Sequence, residues 1–422
     1  MSYKNFPRQL LNDKDKDLKW CEANIDAMGM YLSNQNANLA INDRHKDVKN
    51  YQAYHGHFDP KDYEYVTDQY GTPFPARMTN FNIIAPKIDL LTREELRRPL
   101  ESRVISVNKS AIQRKEDVKV SLKMRELLEE SVNKLKQETG VDLKMANQEM
   151  PMPDDVSLYM KYTYKEMIEE VAEDGLEYLI EKYNWKNVFK NGFRDLLVTG
   201  KVFYKIEIKN GDPHIRRVDP RNLAYDASVE TDFLENSQWI AEQRWLSINE
   251  ILDEYRDELT KKDVQELEKM RHVSSGTDIA DYNKSMEWVD YDSKTGLRIK
   301  LIHAEWKSIR PLKFKISENK YDPARPFKKM VSDNYKARKG ETIETKFVDD
   351  IWQGTKIGGK ILVDCRRRPN QVRSVDDAGS TPLSYVGCIH NLSTGKGSSL
   401  VDVLRHIQTL YNVVMYHIEL TL

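Results

Sequence analysis

Residues 191–226 read NGFRDLLVTGKVFYKIEIKNGDPHIRRVDPRNLAYD, and the organisation of the chain is clearest in this stretch. Phe193, Leu196 and Leu197 recur at helical spacing and predict a helix that leads up to a glycine. Gly200 stands where such a helix should stop, because glycine adopts the left-handed cap conformation without strain. The first half of the stretch is therefore predicted to be a glycine-terminated helix.

A β-hairpin is predicted directly after this helix. Apolar residues alternate with charged ones from Val202 to Ile208, which is the period of a half-buried strand. Asn210-Gly211 is a strong hairpin signal, because both residues tolerate positive φ. The first strand is therefore expected to turn at this dipeptide and to pair with the segment that follows.

The returning strand is predicted to end at Asp219-Pro220, since proline cannot continue a strand ladder. Asn222 to Asp226 then form a polar exit from the hairpin. Helix, glycine, hairpin and Asp-Pro exit together predict one compact α+β unit.

Length and composition limit the classes of protein that the chain can belong to. Its 422 residues suffice for two or three domains. With 32% charged and 39% apolar residues, it fits a protein with much solvated or subunit-facing polar surface. The formal net charge of −1 gives no overall argument for nucleic-acid binding, so any DNA contact would be local. No apolar run approaches the roughly 18 residues of a membrane span, and the first residues lack the apolar core of a secretion signal.

The cysteines predict no structural cross-link. Cys21, Cys365 and Cys388 are odd in number, far apart in sequence and without a CxxC motif. This pattern favours synthesis in a reducing cytosol over a disulfide framework or a zinc site.

The region before residue 110 is predicted to be helical with loops. Trp20, Ile25, Met28 and Tyr31 lie at helical spacing and predict one buried stripe. The further elements predicted there are a loop over 51–75 and a helix over 78–91; a turn over 92–99 and a strand over 104–107 are implied by the family resemblance given below.

Two later helices are predicted to bury apolar stripes. Residues 111–150 are dense in Lys and Glu, a pattern typical of a solvated helical face. Residues 156–190 are predicted to form one amphipathic helix. The stripes are expected at Leu122, Leu127, Leu128 and Leu135 in the first helix, and at Ile168, Val171, Leu176 and Leu179 in the second.

A strand over 239–245 is expected to precede another helix. Ser247 caps this helix, and Glu250 at its third position completes a capping box. The helix is predicted to continue past Leu259 and to lead into a polar linker or projecting loop over 272–296.

Residues 297–364 change to the pattern of a small β-rich domain. Strands are predicted over 297–306, 346–352 and 360–364, with a turn over 354–359. The segment 313–338 between them is predicted to be a basic loop. From Ser399 a long helix runs to the last residue without a stop signal.

Motifs for catalysis or cofactor binding fail when their spacing is checked. The run Ser393–Ser399 looks like part of a phosphate loop, but the first glycine of that motif would fall at position 390, which is His390. Gly397 follows the lysine, where the motif requires Ser or Thr. A metal site at His55, His57 and Asp59 lacks a second pair of ligands nearby in sequence. No HExxH, GxSxG or recognisable Cys-His pairing is present, so an enzyme hypothesis has no specific support.

The densest basic cluster lies before the C-terminal helix. It predicts contact with DNA phosphates or with an acidic partner, the alternative being a solvated turn or salt bridges between subunits. Residues flanking the helix extend the set of candidates for a DNA channel or for partner docking. The candidates are Arg366, Arg367, Arg368, Arg373, Lys396 and Arg405.

These segments together resemble the portal proteins of tailed phages. There, a glycine-terminated helix is followed by a hairpin and by a V-x-P-x-N-x-x-x-D motif, and a later helix carries G-x-S-x-x-x-x-L-x-x-x-Q-x-x-x-N. The segments LIHAEWKSIR (301–310) and VDDIWQGTKIGGKILV (348–363) look most like the portals of short-tailed, crAss-like phages. The matching signature residues are Gly200, Asn210, Gly211, Pro220, Asn222, Asp226, Gly397, Ser399, Leu404, Gln408 and Asn412.

The resemblance implies an α+β, portal-like fold with a helical and β-hairpin wing, long stem helices and a small β-rich clip, mostly helical overall. It also implies a chain that continues beyond residue 422. The regions expected are an N-terminal wing region (1–110), a charged helical insertion (111–155), an α+β wing domain (156–296), a β-rich clip and stem region (297–365), and a return segment with a stem helix (366–422).

The function implied is that of a non-enzymatic ring of twelve subunits, without cofactor or metal, at one capsid vertex of the virion. The ring would be made in the host cytoplasm, surround double-stranded DNA, and contact the major capsid protein, the terminase and then the tail proteins. A head–tail adaptor or other virion scaffold ring is the second hypothesis. A nucleic-acid-processing enzyme is the third, and a cluster of metal-binding carboxylates would favour it.

Overall fold

A computed structural model of the protein contains both helices and antiparallel strands, as expected for an α+β fold. The chain forms two units, one of Met1–Glu95 with Val188–Leu422 and one of Leu96–Asn187. The residues that the structure describes are 6–32, 41–57, 79–99, 102–140, 155–209, 211–226, 233–234, 237–273, 288–292, 296–317, 327–332, 335–337, 341–371, 373, 381–390 and 398–421.

Helices occupy more of the described residues than strands do. In chain order they are α1 (Leu18–Leu32), α2 (Ile41–Tyr54), α3 (Ile84–Arg97), α4 (Lys109–Thr139), α5 (Val156–Leu158, continued by a π-helix Tyr159–Thr163), α6 (Met167–Lys182), α7 (Trp185–Thr199), α8 (Ile248–Glu254), α9 (Lys261–Val273) and α10 (Leu400–Thr421).

The strands lie in the larger unit. They are β1 (Lys201–Lys209), β2 (Asp212–Val218), β3 (Leu223–Tyr225), β4 (Trp239–Leu246), β5 (Val289–Asp292), β6 (Gly296–Ser317), β7 (Phe327–Val331), β8 (Glu341–Ile357), β9 (Ile361–Arg367) and β10 (Tyr385–Ile389).

The predicted glycine-terminated helix and hairpin are confirmed. Gly200 has φ 75°, and its amide donates to the carbonyl of Leu196 at 2.8 Å, so α7 ends in a left-handed cap. β1 pairs with β2 from Lys209↔Asp212 inward, and Gly211 in the turn has φ 89°. The tight connection therefore lies at the predicted dipeptide, although Asn210 itself is outside the described residues.

The larger unit contains two antiparallel sheets. The smaller has the order β10-β1-β2, so the hairpin receives a third strand from far along the chain. The larger has the order β3-β4-β6-β8-β9, with β5 and β7 also pairing with β6. β6 and β8 pair without interruption from Leu301↔Ile357 to Ser317↔Glu341, which makes a long ribbon that extends from the sheet.

The predicted stripe of the first helix is confirmed as part of the core. Trp20, Ile25 and Met28 are buried, and Tyr31 packs against their cluster. α1 lies on the larger sheet, where the rings of Trp20 and Trp306 are 5.6 Å apart. The N-terminal helix is therefore an integral layer of the larger unit.

Two buried carboxylates connect the sheets. Glu242 on β4 accepts hydrogen bonds from both terminal guanidinium nitrogens of Arg216 at 2.7 Å and from the hydroxyl of Tyr385 at 2.8 Å. Glu305 on β6 accepts the backbone amide of Ser384 at 2.9 Å, directly before β10. Burial alone would raise the pKa of each carboxyl, but the facing donors and positive charges lower both to about 2.

The predicted stripes of the second unit are wrong for most of their residues. Leu127, Leu128 and Leu135 on α4, and Ile168 and Val171 on α6, are exposed. The amphipathic pattern correctly predicts helices, but these side chains are exposed in the described part of the unit. Amphipathic periodicity therefore identifies an apolar helical face without identifying what covers it.

The strand expected over 104–107 is not formed. Its backbone is instead held by carboxylates: Val104 donates to Glu173 at 3.0 Å, and Ser106 donates to Glu169 at 2.6 Å. Ile105 on this segment is exposed. Local β-propensity was therefore overridden by side-chain acceptors on α6.

Helix ends differ from the predictions where a capping residue was overlooked. Asn82 caps α3, so that helix begins at Ile84 and extends through the predicted turn to Arg97. The capping box of Glu166 and Glu169 starts α6, so 156–190 is not one helix.

The helix after β4 has the predicted start and an earlier end. The capping box of Ser247 and Glu250 is present as predicted. The helix ends at Glu254, because Thr260 starts a new one by reciprocal hydrogen bonds with Asp263.

The β-rich region has longer strands than expected. The segment 313–317, predicted as loop, belongs to β6, and 327–331 forms β7. The turn predicted over 354–359 lies at 358–360, where Gly358 and Gly359 have positive φ. The exit after the Asp-Pro pair contains β3, which pairs with β4.

Candidate functional site

Four of the signature residues lie where α10 attaches to the hairpin and the N-terminal helices. Gly200 is the first of them. A Cβ at this position would lie 2.6 Å from the carbonyl oxygen of Ser398, the residue two before α10. The Gly200 carbonyl accepts the amide of His390 at 2.8 Å, and the His390 carbonyl accepts the amide of Ser398 at 3.0 Å. Glycine is therefore required here both by its positive φ and by the close backbone contact.

Ser399 caps α10 and connects the helix to α2. Its hydroxyl accepts the amide of Asp402 at 3.0 Å, and the Asp402 carboxylate accepts the Ser399 amide at 2.9 Å. Asn50 on α2 donates to both side chains, at 3.0 and 3.1 Å. Burial would raise the pKa of Asp402, but these donors and Lys46 at 2.9 Å outweigh it and lower the pKa. The start of α10 is thus a charged joint held by several side-chain hydrogen bonds.

Gln408 and Asn412 fasten the middle of α10 to the segment before α3. The buried Gln408 amide accepts the backbone N–H of Ile83 at 2.8 Å and donates to the carbonyl of Phe81 at 2.6 Å. Asn412 accepts the amide of Phe81 at 3.2 Å and donates to the side chain of Asn80 at 3.0 Å. These amides satisfy backbone groups of a segment that has no secondary-structure partner. Removing either amide would leave buried polar groups unpaired.

A buried ion-pair network lies next to this joint and connects α2, α7 and the hairpin. Asp195 on α7 accepts the hydroxyl of Tyr51 at 2.6 Å and two hydrogen bonds from Arg217. Burial raises the pKa of Asp195 although Arg217 opposes this shift. Lys201 at the start of β1 pairs with Asp47 of α2 at 3.0 Å, and both side chains are buried. These contacts therefore join α2, α7 and the hairpin near the N-terminal end of α10.

One face of α10 is buried and the opposite face is not. Val401 and Leu404 belong to a core cluster with apolar residues of α2, α3 and α7. The opposite face forms an apolar stripe, here called the α10 stripe, whose residues are each at least 40% exposed. The α10 stripe consists of Val403, Ile407, Leu410, Tyr411, Val414 and Ile418.

The other signature residues of the hairpin shape its exit. Asp219 accepts the amide and the guanidinium of Arg221, and Pro220 to Asn222 form a 3₁₀ turn. The Arg221 guanidinium lies 4.3 Å from the ring centre of Tyr51. The Asp226 amide donates to a carbonyl of β4. The V-x-P-x-N motif thus directs the chain from the small sheet to the large one.

The arginine cluster is paired with carboxylates of the same chain. Arg366 contacts Glu258 at 3.0 Å and Asp364 at 2.7 Å. Arg367 and Arg373 both donate to Asp350, a buried residue, at 2.6 and 2.9 Å.

The remaining candidates are separate from these pairs. Arg368 forms a backbone hydrogen bond to Ile351, and its charge acts on Glu305. Arg405 lies half-buried on α10. Lys396 and Gly397 are outside the described residues. The structure therefore does not gather the six candidates into one basic patch within the part of the chain that it describes.

Sequence reasoning did not identify several residues of the joint. Asn50, Asn80, Asp195 and Lys201 form no local motif, and their partners are distant in sequence. A search for polar residues inside amphipathic helices would have found Asn50 and Asp195, since a buried polar side chain requires a partner.

The described residues show neither a metal cluster nor a membrane-spanning helix. No group of three or more His, Cys, Asp or Glu side chains among them is arranged to hold a metal ion. Asp59, the third ligand of the predicted histidine site, is outside the described residues. None of the described helices is long and apolar enough to cross a bilayer.

Comparison with known proteins supports the resemblance noted from the motifs. No family model matches the chain. A portal protein of Bacteroides phage crAss001 is 25% identical to this chain, over an alignment that covers 97% of this chain. The chain spans about half, 54%, of that relative. The predicted resemblance is confirmed: the chain is similar to a portal protein of a crAss-like phage.

Proposed function

We propose that this chain is part of a portal subunit, which assembles into a ring at one capsid vertex and conducts double-stranded DNA during packaging and ejection. The observation that carries the proposal is the similarity to a phage portal protein along nearly the whole chain. The joint around Gly200, Ser399, Gln408 and Asn412 supports it, because these signature residues hold a long helix to the body of the chain. We assign the chain no reaction of its own, and ATP hydrolysis belongs to the terminase.

Ring closure requires that a surface of one subunit fit a different surface of the next. The α10 stripe supplies one such surface, since its apolar side chains are each at least 40% exposed in the described part of the chain. Burying an aliphatic side chain of this kind is worth about 1.5–3 kcal/mol. The five aliphatic side chains of the stripe, together with Tyr411, are enough to contribute strongly to a subunit contact. In this proposal α10 is a stem helix, and the number of twelve subunits follows from the family resemblance.

The charge of the chain suits a channel through which DNA moves. A strongly basic wall would bind phosphates tightly and release many counterions, which would oppose sliding. The net charge is −1, and Arg366, Arg367 and Arg373 are paired with carboxylates. Together with Arg368, Lys396 and Arg405, they remain candidates for weak phosphate contacts or for docking of a partner.

The β6–β8 ribbon is the part of the larger unit best shaped for transient partners. It extends beyond β4 and β9, its outer end pairs with β7, and Phe347 of β8 and Met330 of β7 are exposed. We assign this region to the clip, which would dock the terminase during filling and the head–tail adaptor or tail proteins afterwards. The wing would face the major capsid protein, and the assembly would be a component of the virion.

Electron microscopy of the purified protein tests the proposal. Rings that have a stem and a hole wide enough for duplex DNA are expected. Monomers at concentrations where related assemblies would form, or flat rings without a stem, would contradict it. Flat rings would favour the second hypothesis, a head–tail adaptor or scaffold ring.

A further inference from the structure

Two cysteines that are distant in sequence meet beneath α1. Cys21 lies on α1 and is 1% exposed, whereas Cys365 lies on β9 and is partly exposed. Both pack over Gly354 of β8. A Cβ at that glycine would lie 3.0 Å from the sulfur of Cys21 and 3.3 Å from that of Cys365. The missing side chain therefore leaves the space in which the two thiols approach each other.

The two thiols differ in the direction of their pKa shift and in their exposure. The Cys21 thiol donates a hydrogen bond to Cys365, which lowers the pKa of Cys365 although burial and the Asp364 carboxylate oppose this shift. The same hydrogen bond and burial raise the pKa of Cys21. Thiolates are the reactive form of cysteine, so Cys365, the more exposed of the two, is the attacking group.

We propose that Cys21 and Cys365 form an oxidation site, which a low-molecular-weight disulfide such as oxidised glutathione converts into an intramolecular disulfide between α1 and β9. The Cys365 thiolate attacks one sulfur of the reagent, forms a mixed disulfide and releases one glutathione thiolate. Cys21 then loses its proton and attacks the Cys365 sulfur, which releases the second glutathione. The protein dithiol is oxidised by two electrons, and the reagent is reduced to two thiols.

The bond would lock the N-terminal layer of the larger unit. α1 supplies Trp20, Ile25 and Met28 to the core cluster over the large sheet. A cross-link between these distant points closes a very long loop and restricts the unfolded chain strongly. The bond is expected to be absent in a reducing cytosol and to form after exposure to an oxidising environment. The inference does not depend on the proposed function.

Titration of thiols in the full chain tests the inference. The chain has three cysteines, and none of them forms a disulfide in the structure. Incubation with oxidised glutathione under native conditions should remove two of the three, and peptide mapping should identify a Cys21–Cys365 disulfide without bound glutathione. The apparent melting temperature should rise and return to its starting value after reduction with dithiothreitol.

Single variants provide the matched controls. Cys388→Ser should still lose two thiols on oxidation, because Cys388 has no part in the pair. Cys365→Ser should lose none by intramolecular bonding and should show no rise in melting temperature. A stable glutathione adduct on Cys365, or a disulfide that involves Cys388, would overturn the inference. Loss of thiols only under denaturing conditions would also overturn it. Peptide mapping of the chain without substitutions decides between these outcomes even if a variant folds poorly.

Discussion

At the scale of single residues, Gly200 is the position where sequence and structure agree most closely. The sequence predicts a helix stop, and the structure shows φ 75°. What the sequence did not predict is the close contact with the Ser398 backbone, because that contact joins segments far apart in the chain. Local conformational preference can be read from a motif, whereas long-range proximity depends on how the elements pack.

Gly200→Ala is expected to destabilise the larger unit by at least about 2 kcal/mol, since it adds backbone strain to a steric clash. Gly211→Ala is the matched control. Gly211 also has positive φ, but no atom lies within 4 Å of its added Cβ. Its cost should be limited to about 1 kcal/mol of backbone strain. Urea denaturation measures both, and equal costs would show that the Ser398 contact is unimportant.

Gln408→Met keeps the volume of the side chain and removes its hydrogen bonds. The amide of Ile83 and the carbonyl of Phe81 would lose a buried partner, at a total cost of about 2–4 kcal/mol. His406→Ala on the exposed face of the same helix should change stability by less than about 0.5 kcal/mol. Denaturant midpoints compare the two variants. A neutral Gln408→Met would mean that water or another group satisfies the backbone.

At the scale of elements, the existence of most helices and strands follows from local patterns. The capped helix after β4, the hairpin and the strands of the β-rich region are predicted from periodicity and turn residues alone. The stripes of α4 and α6 are not, because amphipathicity reveals an apolar face but not what covers it. Nor does the pattern reveal that Cys21 and Cys365 meet, since each lies on a different element.

The carboxylates that connect the two sheets predict an acid-sensitive junction. The folded pKa of Glu242 and of Glu305 is about 2, below the ordinary value of 4.5. The ionised forms therefore stabilise the fold fully above about pH 4.5, and this contribution is lost as the pH falls towards 2. Each carboxylate contributes roughly 3 kcal/mol by this linkage.

Acid unfolding of Glu242→Gln tests this junction. The variant should be less stable at pH 7 and should lose less stability between pH 5 and pH 3 than the parent chain. Glu419→Gln, at an exposed position on α10, serves as the control and should reproduce the parent curve. If Glu242→Gln and the parent lose stability in parallel, the assignment of the junction to this carboxylate is wrong.

At the scale of the whole molecule, the proposed ring requires contact surfaces between subunits, and exposed apolar surfaces of the single chain are suited to form them. The α10 stripe is such a surface, and the joint on the opposite face of the helix holds it in place. The division into wing, clip and stem regions by residue range stays a prediction, since it describes roles within an assembly.

The double variant Ile407→Glu, Leu410→Glu is expected to prevent ring formation without unfolding the chain. Charges on the stripe would have to be buried without partners in a subunit contact, which is costly. His406→Glu, one position away on the same helix and also exposed, should leave assembly intact. Light scattering reports the assembly, and circular dichroism reports the fold. Rings of normal size from the double variant would exclude the stripe as a subunit contact.

The β6–β8 pairing described above has a mechanical meaning. Because its strand pairing continues without a break from Ser317 to Leu301, a pull at the tip loads a stiff beam whose base packs on Trp20 of α1 through Trp306 and Trp352. If this region is the clip, as proposed, such a beam would transmit torque from a docked motor or tail to the rest of the subunit with little bending.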